Sequence, residues 1–98
     1  MRDQQILDEV KSTLALLTAK APGRAIEVRV PPYAAVQCGD GPTHTRGTPP
    51  NTIEMSADTW LALASGILSW SDAMSSGAIA ASGVRADLTE YLPLGSEA

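Results

Sequence analysis

The stretch Asn51-Thr52-Ile53-Glu54-Met55-Ser56-Ala57-Asp58-Thr59-Trp60-Leu61-Ala62-Leu63-Ala64-Ser65-Gly66 changes period halfway. Up to Met55 it alternates. Ile53 and Met55 point one way, and Asn51 and Glu54 are expected to be more exposed, which predicts a strand. After Ser56 the apolar residues recur at helical spacing, with Trp60, Leu61, Leu63 and Ala64 supplying the buried face. Ser56 is a good N-cap, Asp58 supports the first turn, and Met55 and Trp60 are placed for a hydrophobic staple. Gly66 is the C-terminal stop. A strand running straight into a helix makes this a mixed domain.

The flanking residues extend that pattern. Upstream, Ile6, Leu7, Val10, Leu14 and Leu17 form one apolar stripe, so Asp3 to Lys20 is predicted to be a helix of about four turns. Asp3 is its N-cap, and Pro22 and Gly23 stop it. Arg24 to Pro31 alternates, with Ile26, Val28 and Val30 on one face and Glu27 and Arg29 on the other. Pro31-Pro32 marks a turn into a second strand, Tyr33 to Cys38. Gly39 to Pro50 is loop chemistry, rich in Gly and Pro. Downstream, Ser69-Trp70-Ser71-Asp72 is a capping-box variant that opens a short helix, and Gly77 ends it. Ala78 to Ser82 is predicted to be a strand. Arg85 to Leu92 is predicted to be a last helix with Leu88 inside, and residues 95–98 a tail. Strands joined by short turns favour antiparallel pairing. The expected fold is α/β (α+β), an antiparallel sheet of about four to five strands covered by helices.

The whole chain, residues 1–98, is the size of one small domain. Hydrophobic residues make up 44%, but 15 of them are Ala and none is Phe. Such a domain buries only roughly 60–65% of the surface its unfolded chain exposes. The core is therefore thin, and a ligand or second subunit is expected to complete it. No apolar run is long enough to span a membrane, and Met1 to Val10 has no signal-peptide apolar stretch. The net charge of -4 argues against a phosphate-backbone or nucleic-acid binder. The absence of a basic run argues against an anionic membrane surface. The expected location is cytoplasmic.

Little catalytic chemistry is on offer. His44 is the only histidine and Cys38 the only cysteine, which argues against a zinc site and against an intramolecular disulfide. No catalytic residue, metal or cofactor is expected. Cys38 follows small residues and is read as a buried apolar side chain. The segment His44 to Asn51 concentrates hydrogen-bond donors. Arg46 there could pair with a carboxylate or phosphate, or the loop's polar groups could satisfy one another. Trp60 and Trp70 suit either core packing or the wall of a lipid-sized cavity.

The segment Asp58 to Leu94 resembles the C-terminal part of the sterol-carrier-protein type 2 family. The likeness rests on Trp60-Leu61-Ala62-Leu63, Gly66-Ile67-Leu68-Ser69-Trp70, Asp72-Ala73, Gly77 to Gly83, Ala86-Asp87-Leu88 and Tyr91-Leu92-Pro93-Leu94. His44 to Glu54 also resembles short bacterial sterol-carrier-family proteins, in which an Arg-Gly-Thr-Pro-Pro-Asn run precedes the strand. The resemblance implies an antiparallel sheet covered by helices and an apolar tunnel for a lipid or fatty acyl group. The favoured function is thus a non-enzymatic carrier of a lipid or small amphiphile. Trp60, Leu63, Trp70 and Met74 would form its wall, and Arg46, with His44, would hold a polar head group. Two alternatives stay open. One is a homodimeric interaction module with no lipid. The other follows from a similarity to the C-terminal domain of mycothiol-dependent isomerases: a subunit whose Arg46 anchors a substrate for a reaction centre on another chain.

Overall fold

A computed structural model describes residues 3–41 and 51–94. Within the predicted loop Gly39 to Pro50, residues 42–50, with His44 and Arg46, lie outside the described residues, as does the tail 95–98. The elements run α1 (Gln4–Lys20), β1 (Ile26–Val30), β2 (Ala34–Cys38), β3 (Asn51–Met55), α2 (Ala57–Ser65), α3 (Trp70–Ser75) and β4 (Ile79–Ser82), then a 3-10 turn at Thr89–Tyr91.

The capping chemistry falls where the sequence places it. The Asp3 carboxylate accepts from the backbone N–H of Gln5 (2.8 Å) and Ile6 (3.3 Å). Ser56 and Ser69 cap α2 and α3 by accepting from Thr59 and Asp72. Gly66 ends α2 in the left-handed region at φ +88, where a side chain would be strained.

The fold class is α+β, as expected, with four strands in the order β2-β1-β3-β4. The sheet is mixed rather than antiparallel throughout. β1 pairs with β2 and β3 with β4 antiparallel, but β1 and β3 are parallel. The register shows why. Cys38 and Asn51 both lie opposite Ile26, on its two sides. The connection from β2 to β3 thus ends beyond β1 instead of turning back on β2. Only a tight hairpin forces antiparallel neighbours.

One sheet face is apolar. Ile26, Val28, Val30, Cys38, Ile53, Met55 and Ile79 are buried there with Val10, Leu14 and Leu17 of α1 and Trp60 and Leu63 of α2. The alternate positions carry Glu27, Arg29 and Glu54. The Arg29 guanidinium contacts the Glu27 carboxylate at 2.6 Å, which raises its pKa. The thin core is filled partly by Ala21, Ala25, Ala64, Ala73 and Ala86.

Two local expectations are corrected. Asn51 is buried, at 2% exposure, not exposed. It shares the parity of Ile53 and so faces inward. Its amide is satisfied there: Nδ2 donates to the Ala25 carbonyl (2.9 Å), and Oδ1 accepts from the Arg85 N–H (2.9 Å). The predicted helix over Arg85 to Leu92 shrinks to the 3-10 turn at Thr89–Tyr91. Ala86 and Leu88 are both buried while Asp87 is exposed, an extended period rather than a helical one. The Asp87 carboxylate also accepts from the Thr89 N–H (2.7 Å), a local bond that competes with a helix.

Asn51 therefore ties the entry of β1 to the segment after β4. Asn51→Ala should lower the unfolding free energy by about 2–4 kcal/mol, because it leaves a buried carbonyl and a part-buried N–H without partners. Urea denaturation checks this. Asn51→Asp should also destabilise, since a carboxylate cannot donate to Ala25.

Candidate functional site

Each of the two longer helices has a second face beside its buried one. On α1 the buried residues are Val10, Leu14 and Leu17, and the neighbouring positions are Glu9, Ser12, Thr13 and Leu16. On α2 the buried residues are Trp60, Leu63 and Ala64, and the neighbouring positions are Asp58, Leu61, Ala62 and Ser65. These two second faces, with Ile67 and Leu94, enclose a groove of about 560 Å3. That is within the range of small-molecule sites, roughly 300–1,000 Å3. Its walls are mostly apolar, and two large aliphatic residues on it stay open to solvent: Leu16 is 55% exposed and Ile67 85%.

The helices are joined at the groove by a part-buried polar contact. The Trp60 indole N–H donates to Thr13 Oγ1 at 2.7 Å. The Thr13 hydroxyl in turn reaches the Glu9 carbonyl at 2.6 Å. A C-terminal strap closes one end, where the Leu94 N–H donates to the Ala64 carbonyl (2.9 Å).

The residues predicted as a cavity wall are only partly together. Trp60 is wholly buried in the core, where it packs the helices onto the sheet. Leu63 and Trp70 do meet, lining a smaller hollow of about 250 Å3 with Leu68, Leu92 and Pro93. Met74 stands on α3 at 42% exposure. His44 and Arg46 lie outside the described residues. None of Trp60, Leu63, Trp70 and Met74 lines the larger groove. Its signal in the sequence is Leu16, an aliphatic residue outside the α1 stripe.

A third hollow, of about 400 Å3, opens beside the start of β1. It sets Arg85 among Asp40, Asp87, Glu90 and Tyr91, and Arg85 Nη2 donates to the Asp40 carbonyl at 2.7 Å. Burial, and then the Glu90 carboxylate, push the Tyr91 hydroxyl pKa up. Among the described residues no three His, Cys, Asp or Glu side chains are grouped so as to hold a metal ion.

Cys38 is buried, as its surroundings in the sequence suggest, and burial pushes its thiol up to about 11. At pH 8 that leaves about 100-fold less thiolate than in the unfolded chain. Ellman's reagent should therefore label native protein at least that much more slowly than urea-unfolded protein. A thiol whose pKa is raised by folding stabilises the fold below its unfolded value and loses that contribution as pH climbs towards 11. Stability should accordingly fall between about pH 9 and 11, less steeply in Cys38→Ala.

No curated protein matches the chain. A protein-family model does, over residues 2–94, and it is described as the bacterial SCP ortholog family. The match runs from the start of α1 through the Leu94 strap, so it takes in every described element. The chain belongs to the bacterial SCP ortholog family, the bacterial branch of the sterol-carrier proteins that its sequence resembles.

Proposed function

We propose that this chain is a non-enzymatic, cytoplasmic carrier that holds a lipid or other small amphiphile in the groove between α1 and α2. The observation that carries this reading is the groove itself: about 560 Å3 of mainly apolar wall, with Leu16 and Ile67 left uncovered. Exposed aliphatic residues scattered singly need no explanation, but a contiguous apolar depression does. Membership of a sterol-carrier family supports the same reading. The hollow at Leu63 and Trp70, about 250 Å3, lies below the usual size of a ligand site. It suits an extension of the binding region better than its centre.

A carrier of this kind extracts its cargo by offering apolar surface in place of water. Burying one aliphatic side chain against a ligand is worth about 1.5–3 kcal/mol, so a few groove residues suffice for micromolar binding. None of the described helices is long and apolar enough to cross a membrane. Exchange with a membrane would then be an encounter rather than an insertion.

Native mass spectrometry of freshly purified protein, with an organic extract run in parallel, tests the proposal. The expected result is a mass excess on the monomer that extracts as an amphiphile. Ile67→Ser should leave stability within about 0.5 kcal/mol, because the side chain is mostly solvated. It should weaken loading by about ten-fold. A clean mass at twice that of the chain, reduced to monomer by Leu16→Glu, would overturn the carrier reading in favour of a dimer that uses the same apolar surface.

A further inference from the structure

We infer that the α1–α2 groove prefers an amphiphile with a protonated amine head over one of equal chain length with a carboxylate head, and seats that head beside Glu9 and Asp58. This rests on the groove being the ligand site proposed above.

The direction of the two helices is decisive. The bond from Trp60 to Thr13 sets their register. At the far end of α1, Lys20 Nζ donates to the carbonyls of Tyr91 (2.9 Å) and Pro93 (3.4 Å). Pro93 lies against Gly66, just past α2, where an added Cβ would sit 3.3 Å from its ring. Leu94 is bonded to Ala64. The last turns of both helices thus meet the same strap, and α1 and α2 run side by side in the same direction. Positions 9 and 58 precede the Thr13–Trp60 contact, and positions 16 and 67 follow it.

The groove is therefore polarised along its length. One end holds the carboxylates of Glu9 and Asp58. The other holds Leu16, Ile67 and Leu94. Ser12, Thr13 and Ser65 add hydroxyls, and no Lys or Arg is among its described lining. The sole ion pair among the described residues, Arg29 with Glu27, lies on the opposite face of the sheet. Among the described residues the Glu9 carboxylate has only a long contact from the Gln5 amide (3.4 Å). Asp58 stands in the first turn of α2, where it offsets the partial positive charge of the helix start. A ligand whose tail lies along Leu16 and Ile67 brings its head to two carboxylates to which the described residues bring no cation. An amine completes that arrangement, whereas a fatty-acid carboxylate adds a third negative charge to a chain already at -4.

The experiment is calorimetric titration with dodecylammonium, 1-dodecanol and dodecanoate, below the micellar concentrations of the two ions and the solubility of the alcohol, at pH 7 and low salt. The amine should bind most tightly and dodecanoate least, with a ratio of about ten-fold between them. The ratio should shrink as salt is raised, because the charges are exposed. Glu9→Gln with Asp58→Asn should bring the amine-to-alcohol ratio close to one, and Glu9→Gln alone should move it part of the way. Equal binding of all three probes, or tightest binding of dodecanoate, overturns the head-group preference and leaves the groove as a ligand site. Binding of none of them overturns the carrier reading as well.

Discussion

Trp60 brings one N–H into the apolar layer between the helices and the sheet, and that donor must be satisfied. It finds Thr13 on α1. This single contact fixes how far α2 can slide along α1, and with it which residues of each helix face inward and which flank the seam. The indole body meanwhile fills the space that an Ala-rich composition leaves over the sheet. Both the filled core and the open groove beside it follow from seating one large amphipathic side chain between two helices.

The groove and the core are consequently adjacent faces of the same helices. Val10, Leu14 and Leu17 point to the sheet, while Leu16 and Thr13 lie a fraction of a turn away. Trp60, Leu63 and Ala64 do the same on α2, with Leu61 and Ser65 beside them. Such a seam needs no internal void. A small domain that hollowed its interior would forfeit dispersion contacts it cannot spare. Placing the apolar depression on the surface keeps the core packed and leaves the binding surface open to exchange. The strap at Leu94, held by Ala64 and Lys20, adds a wall from a segment remote in sequence.

Asn51 performs a similar joining task at the other end of the sheet. Two backbone groups, one before β1 and one after β4, converge on its side chain. An apolar residue there would leave both without partners. The short, mostly exposed β4 carries little packing of its own, so this bridge and its pairing with β3 hold it in register.

Much of the local structure could be read from the sequence. Asp3, Ser56, Ser69 and Gly66 specify helix ends through contacts within one turn, so neighbouring residues suffice to identify them. The alternation of Ile26, Val28 and Val30 likewise specifies a one-sided strand. The helix expected over Arg85 to Leu92 gives way to a local bond, Asp87 to Thr89, but the other misreadings involve partners distant in the chain. Asn51 shares the parity of Ile53, but its polar amide favours an exposed reading, because the acceptor and donor that satisfy it inside lie 26 and 34 residues away. The parallel pairing of β1 with β3 depends on where a connection ends, not on its composition. Trp60 and Trp70 have the composition of a cavity wall, but only the docking of α2 on α1 decides that Trp60 fills the core. The sequence by itself determined the fold class and the limits of α1, α2 and α3, since periodicity and capping act over a few residues, and its motifs carried the family resemblance. Tertiary structure alone decided that the apolar site lies on the Leu16–Leu61 seam, because two separate helix faces become one groove only when a long-range contact sets their register.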